Sequence, residues 1–305
     1  MAANTRDIRR RIKSIKNTAQ ITKAMQMVAA SKMRKAQAAA LAGRPYAKLL
    51  NKVLASLGAV ASTETTHELL QTRTGGKELV LLISTDKGLC GGLNTNLLRE
   101  AAKFDPANTI FVAVGRKGMQ YVVRSKREVA AEFELRDNFT FLESKAVSKF
   151  CIEKFISGDV NKVTVLFTDF VNTLTQVPRV RTILPVSDLS AEIHVPASVA
   201  KAADAEAPAT PATTEDGAAK TEYLFEPDAA SVLSAVLPHY VHFQVYQMVL
   251  DSRASEHSAR MVAMKSATDN AKQLVKDLTL EYNKVRQASI TTELLEITTA
   301  QLALG

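Results

Sequence analysis

Residues 264–295 read MKSATDNAKQLVKDLTLEYNKVRQASITTELL, and within them Met264, Ala267, Ala271, Leu274, Leu278, Glu281, Val285, Ala288, Thr292 and Leu295 recur at alternating steps of three and four. That spacing is a heptad seam, the mark of a helix wound on a partner helix. No Gly or Pro interrupts the chain from His239 to Leu304, and the segment is rich in Ala, Leu, Lys, Gln and Glu. All five are strong helix formers. At 1.5 Å per residue such a helix would span about 100 Å, too long to be buried in a domain of this size. Its partner must lie elsewhere in the chain.

The amino end supplies it. From Asn4 to Leu57 the pattern is helical, and Ile8, Ile12, Ile15, Ala19, Thr22, Gln26, Ala29 and Met33 keep the same alternating steps. These side chains are smaller and more polar than zipper leucines, so they predict close approach with modest affinity. Gly43, Arg44 and Pro45 should bend or loosen the helix, after which the apolar period resumes through Tyr46, Leu49, Leu50, Val53, Leu54 and Leu57. A compact domain joins the two ends, so the helices are expected to pair antiparallel. The carboxyl-terminal helix should outrun its partner by about ten residues.

Between the helices the pattern alternates strand and helix. Glu78–Thr85, Thr109–Val114 and Lys162–Val171 read as strands, with Thr175–Leu184 as an edge strand that tolerates Pro178; Gly92–Phe104, Lys117–Arg124 and Phe141–Ile156 read as helices. Near-continuous apolar strands such as ELVLLIST fit a mostly parallel sheet covered on both faces. The expected fold is therefore α/β, a long antiparallel two-helix coiled coil formed by the terminal helices plus a globular Rossmann-like α/β domain. Its parts are 1–58 (amino-terminal helix), 76–196 (globular foot), 197–222 (an Ala/Pro/Thr-rich insertion expected to be disordered) and 223–305 (foot segment running into the long helix, with Asp228 as its N-cap).

The net charge of +8 over 305 residues is concentrated: the first 35 residues hold ten Lys or Arg against one acid, Asp7. Such a segment calls for an acidic partner, which could be nucleic acid, a membrane surface or a protein with carboxylate-rich loops. Arg9, Lys13, Lys16 and Lys23 share a helical face beside the seam. DNA-binding zippers place their basic region ahead of the heptads, so this interleaving argues against that class. No apolar run reaches the roughly 18 residues of a spanning helix. Cys90 and Cys151 are too few and too far apart for a disulfide framework or a zinc site.

The most site-like segment is STDKGLCGGLN (Ser84–Asn94), which follows a strand and precedes a helix. Neither GxxxxGK[ST] nor GxGxxG is present, so a glycine-rich turn used for packing or protein contact is favoured over a phosphate cradle. Asp86, Lys87 and Cys90 have no histidine nearby in sequence to activate the thiol, and His239 and His242, three apart on a helix, lack further convergent ligands. No catalytic, cofactor-binding or metal-binding residues are assigned.

Four segments, NTAQITKAMQMVAASKMRKAQ (Asn17–Gln37), STDKGLCGGLN, YLFEPD (Tyr223–Asp228) and ASEHSARMVAMKSATDNAKQLVKDLTLEYNKVRQASITTELLEI (Ala254–Ile297), resemble the gamma subunit of bacterial F-type ATP synthases. The resemblance implies a non-catalytic central rotor stalk. It would turn inside a ring of three alpha and three beta subunits, its foot would bind the c ring and the epsilon subunit, and it would reside peripherally at the cytoplasmic face of the bacterial inner membrane. It implies coupling of proton- or sodium-driven rotation to ATP synthesis and its reversal, with no nucleic acid and no direct small-molecule substrate. By motif match, Lys23, Met25 and Arg260 fall where the family meets the lever loops of beta. Arg286, Gln287, Thr291 and Glu293 fall where it makes polar contacts higher in the ring. Asp86, Lys87, Tyr223, Glu226 and Asp228 fall in the foot. The carboxyl end ITTAQLALG departs from the Gly-Ala-rich tail usual in the family, and the insertion before YLFEPD is longer.

Overall fold

In the computed structural model, which describes residues 5–61, 67–73, 75–186, 226 and 228–304, the two ends of the chain form helices: α1 (Thr5–Ala42), followed by α2 (Arg44–Ala61), and the terminal α6 (Ala229–Leu304). The expected insertion 197–222 and Tyr223 lie outside the described residues. The chain divides into two units, residues 1–30 with 260–305, and residues 31–259.

In the first unit, Ile8 and Ala29 are buried and Ile12, Ile15, Ala19, Thr22 and Gln26 are half-buried, while nearly all the residues between them face solvent. The expected amino-terminal seam is therefore the covered one. Facing it, Thr22 Oγ1 and Thr268 Oγ1 are 2.7 Å apart. An antiparallel register through that pair sets Ile12 against Leu278, Ile15 against Val275 and Ala19 against Ala271. Each of these residues is covered. The same register places Val285 opposite Thr5, where α1 begins, and every residue whose side chain is described beyond Val285 is exposed.

Half of the carboxyl-terminal seam differs from expectation. Met264, Ala271, Leu278 and Val285 are covered as anticipated and Ala267 is half-buried, but Thr268, Val275 and Tyr282 are covered as well, while Leu274 is 48% exposed and Glu281 lies in solvent. The helix is rotated by roughly 50° from the expected phase. This leaves the Glu281 carboxylate hydrated at the cost of exposing a leucine, the cheaper of the two choices.

The second unit carries a five-stranded sheet in the order β3-β2-β1-β4-β5: β1 (Lys77–Ile83), β2 (Thr109–Val114), β3 (Glu128–Phe133), β4 (Val160–Phe170) and β5 (Gln176–Leu184). β1 pairs parallel with β2 and β4, β2 with β3, and β5 closes the edge antiparallel to β4. Helices α3 (Leu93–Ala101), α4 (Arg116–Arg124) and α5 (Phe141–Ile156) connect the strands. Strand β3 was not anticipated: EVAAEF alternates exposed and half-buried residues, the habit of an edge, and lacks a β-branched run. Pro178 sits in β5, the other edge.

Continuous apolar strands serve both faces. Leu79, Leu81, Ile83, Val112, Val163, Val165 and Phe167 belong to one core with residues of α2, α5 and α6. Their neighbours Val80, Leu82, Phe111 and Leu166 belong to a second core with Leu97, Ala101 and Val122 of α3 and α4. Thr140 and Glu143 start α5 with a reciprocal capping box. Asp228 Oδ2 accepts the Ser231 N–H at 3.1 Å, the N-cap expected for α6. Gly43 separates α1 from α2, and a Cβ there would displace the end of the Gln247 side chain of α6.

Candidate functional site

In the first unit, the residues singled out by motif are set on two levels. Arg9, Lys13, Lys16 and Lys23 are all exposed along the basic face, and Lys23 Nζ donates to Gln26 Oε1 at 3.2 Å. Met25 and Arg260 are half-buried beside the seam. The Thr22–Thr268 register sets Arg260 level with Ala30, seven residues or about 10 Å along the axis from Lys23. The second level, Arg286, Gln287, Thr291 and Glu293, is exposed and past the reach of α1; Thr291 Oγ1 donates to Gln287 O, a bond inside its own helix.

These upper residues belong to an uncovered helix end. The 17 residues Arg286–Leu302 are all exposed, including Ile290, Leu294, Leu295, Ile297 and Leu302. At 100° per residue those five apolar side chains are spread over roughly 160° of the helix surface, broader than a simple amphipathic stripe.

In the second unit, the place to look for chemistry is the crevice beyond the carboxyl ends of β1 and β4, the topological switch point at which open α/β sheets bind ligands. Here α6 fills it. Ser252 Oγ accepts from the Thr168 N–H at 3.3 Å, Ser255 Oγ donates to Thr168 O at 3.1 Å, and Ser258 Oγ donates to Thr173 O at 2.9 Å. The space left between Ile83, Ser84, Thr168, Ser252 and Arg253 is about 10 Å³. That is room for one water at most, not for a nucleotide.

The STDKGLCGGLN turn sits at the edge of this crevice and is tied down from inside. Thr85 Oγ1 and Asn94 Nδ2 are 2.8 Å apart, Asn94 Nδ2 donates to Cys90 Sγ at 3.4 Å, and Ser84 Oγ accepts the Gly118 N–H at 2.7 Å. Lys87 and Leu89 face solvent, while Asp86 points inward to Arg253, Nη2 to Oδ2 at 3.2 Å. Glu226 and Asp228 are exposed.

Around Arg253 lies a group of charged residues that sequence reasoning missed. Arg253 also reaches Glu256 Oε2 at 2.9 Å and Leu135 O at 2.5 Å. Burial works against its charge, but Glu256 and Asp86 outweigh it and raise its pKa. A cavity of about 100 Å³ next to it is lined by Lys32, Lys35, Asp137, Tyr246, Arg253 and His257. Burial pushes the Asp137 carboxyl up, yet Lys32, His257 and Arg253 together hold it below the ordinary carboxylate range. Lys32, Lys35 and Arg253 share the cavity lining with one carboxylate, Asp137, while Arg253 is also paired with Asp86 and Glu256, which lie outside that lining. The signal that could have revealed the group is the run Asp251–Ser258, DSRASEHS, polar except for Ala254 yet lying in a helix with no exposed position.

The remaining candidates are inert. Burial pushes the Cys151 thiol up to about 12, far from thiolate reactivity. His242 is lowered to about 4, chiefly by burial and then by Lys145 and His239, and its Nδ1 lies 2.7 Å from Ser148 Oγ in the core. His239 stacks edge-on with Tyr46. Among the described residues no group of His, Cys, Asp and Glu could hold a metal, and no helix is long and apolar enough to cross a membrane.

Comparison with known proteins accounts for this arrangement. A family model described as ATP synthase matches residues 4–304. The ATP synthase gamma chain of Methylacidiphilum infernorum is 49% identical over 308 residues, covering 99% of this chain and 100% of the relative. That of Opitutus terrae is 50% identical over 302 residues and 99% of both chains. Among solved structures, the rotor of the Euglena gracilis mitochondrial ATP synthase matches 94% of this chain and 98% of its own with a TM-score of 0.63 at 17% identity. A chain from the Tetrahymena thermophila mitochondrial ATP synthase central stalk and c-ring matches 81% and 99% with a TM-score of 0.58 at 24% identity. These structural likenesses are likenesses of fold.

Proposed function

The chain belongs to the ATP synthase gamma-chain family, and from that membership we propose which surfaces of this rotor subunit do its work. Like the family, it is non-catalytic and couples rotation of the central stalk to the catalytic subunits. A shaft that presents a different face to each of several surrounding sites holds those sites in different conformations, and turning it exchanges them because it binds the conformations unequally.

The observation that carries the reading is the helix end Arg286–Leu302, helical, exposed, apolar over a wide arc and with no partner helix among the described residues. Apolar side chains over so wide an arc are costly to leave in water, so a surrounding ring is the natural cover. We assign that ring to three alpha and three beta subunits. Lys23, Met25 and Arg260 then face acidic lever loops of beta, and Arg286, Gln287, Thr291 and Glu293 face polar groups higher in the ring. Lys87, Tyr223, Glu226 and Asp228 face the c ring or epsilon from the foot. Asp86 is engaged with Arg253 and contributes to that surface by shaping the turn. The complex would place this chain peripherally on the cytoplasmic face of the bacterial inner membrane, driven by protons or sodium ions.

Mixing the purified chain with alpha and beta subunits tests this. The expected product is a complex with one copy per three beta subunits and an ATPase activity absent from the chain alone. Salt-sensitive DNA binding without such a complex would instead favour an adaptor that uses its basic helix, the reading the charge alone left open.

A further inference from the structure

We propose that Arg253 is a positioning residue that locks α6 to the sheet, so that the crevice which in related folds holds a ligand serves here as the grip on the rotor helix. The functional part of this inference rests on the rotor reading above; the structural part does not.

Arg253 stands on α6 with its side chain 5% exposed and reaches three other parts of the second unit or its own helix. Nη2 bonds Asp86, directly after β1, and the carbonyl of Leu135, between β3 and α5; Nη1 bonds Glu256 one turn along α6. Asp86 extends the link, since its Oδ1 accepts the Arg116 N–H at 3.3 Å at the start of α4, and Arg116 Nε pairs with Glu134 at 3.0 Å. Thus the ends of β1 and β3 and the start of α4 are all tied to one guanidinium. Its planar fork makes several bonds at once in fixed directions, which a lysine cannot reproduce. Ser252, Ser255 and Ser258 hold the neighbouring strand β4 and its loop through backbone bonds.

Apolar packing is non-directional and lets a helix rotate about its axis, whereas a hydrogen-bonded fork does not. A helix passing torque to the rest of a rotor needs the second kind of contact. The turn Ser84–Asn94, the most site-like segment of the sequence, is on this view the socket wall, and Asp86 is its contact with the helix.

The test uses the full-length chain. In Arg253→Met, amide hydrogens of residues 85–94 should exchange at least about tenfold faster, because Glu256 and Asp86 lose their buried partner, while those of the α5 core residues 147–155 stay unchanged. Asp86→Asn should loosen the same turn, and Arg253→Lys should fall between. Unchanged exchange in the turn, or equal acceleration in α5, overturns the lock. In the assembled synthase, ions moved per ATP should fall about fivefold in Arg253→Met with hydrolysis largely retained, the low end of losing one coupling between sites. A loosened turn with normal pumping per ATP overturns the grip. If the unaltered chain itself fails to assemble with alpha and beta, the rotor reading fails, and the exchange experiment still decides the lock.

Discussion

The hydroxyls of Thr22 and Thr268 lie 2.7 Å apart in the seam between the terminal helices. Each also approaches a carbonyl of its own helix, Thr22 that of Ala19 at 3.1 Å and Thr268 that of Met264 at 2.8 Å. Two hydroxyl protons serve three contacts, so one carbonyl contact is geometric only. The shorter back-bond marks Thr268 as the donor to Met264, leaving Thr22 to donate to Thr268. Replacing Thr22 with Val should cost about 1 kcal/mol in urea unfolding, and Thr22→Ser should restore most of it.

His242 makes stability depend on pH. Its pKa falls from the ordinary 6.5 to about 4 on folding, so between those values the unfolded chain binds a proton that the folded chain refuses. Its contribution is therefore whole above about pH 6.5 and is lost steadily as the pH drops toward 4. His242→Gln, which retains a partner for Ser148, should reduce the slope of unfolding free energy against pH in that window by up to one proton. A slope identical to the parent's would show that His242 is not the titrating group.

Gly115 has φ +95°, and a Cβ there would lie 2.4 Å from Ser84 O, a backbone atom that cannot step aside. Gly115→Ala should cost about 2–4 kcal/mol. Gly88, in the neighbouring turn, has open space where a Cβ would stand and φ outside the left-handed range, so Gly88→Ala should be near neutral. Paired denaturant melts of the two variants make the comparison.

Met25 is half-buried beside the basic face. Met25→Lys adds a charge next to Lys23 where the shaft is assigned to the beta levers. Ion pumping per ATP should then drop more than hydrolysis does. Measured together in membrane vesicles, pumping and hydrolysis that fall in proportion would remove Met25 from the coupling surface.

Because Arg286–Leu302 makes no cover for the rest of the first unit, a chain ending at Val285 should melt within about 0.5 kcal/mol of the full-length protein. The same truncation should weaken assembly with alpha and beta. Circular dichroism and size-exclusion chromatography separate the two effects, and a large loss of stability in the isolated chain would show that the tip packs on its own shaft.

Most of the architecture was readable from residues alone because it rests on local periodicity. The amino-terminal seam from Ile8 to Ala29, strands β1, β2 and β4, α5 and the Asp228 cap each announce themselves within a few turns or a few residues. Strand β3 did not, since an edge strand with one half-buried face carries little apolar signal. The overrun of α6 was foreseen at about ten residues and is 19 in the described helix, 286–304, because α1 pairs with α6 only as far as Val285.

The phase of the carboxyl-terminal helix was beyond local pattern. The two possible seams share Met264, Ala271, Leu278 and Val285, Ala267 and Thr268 are both covered, and only contact with the facing helix selects Val275 and Tyr282 over Leu274 and Glu281. Asp86 was likewise legible as a candidate but not in its role, for its partner Arg253 stands 167 residues away. Heptad spacing, charge and motif are properties of neighbouring residues and determine that there is a shaft and a foot. Which side chains are covered, and which carboxylate is occupied, depends on residues that meet only when the chain has folded, and those contacts decide how the helix is held.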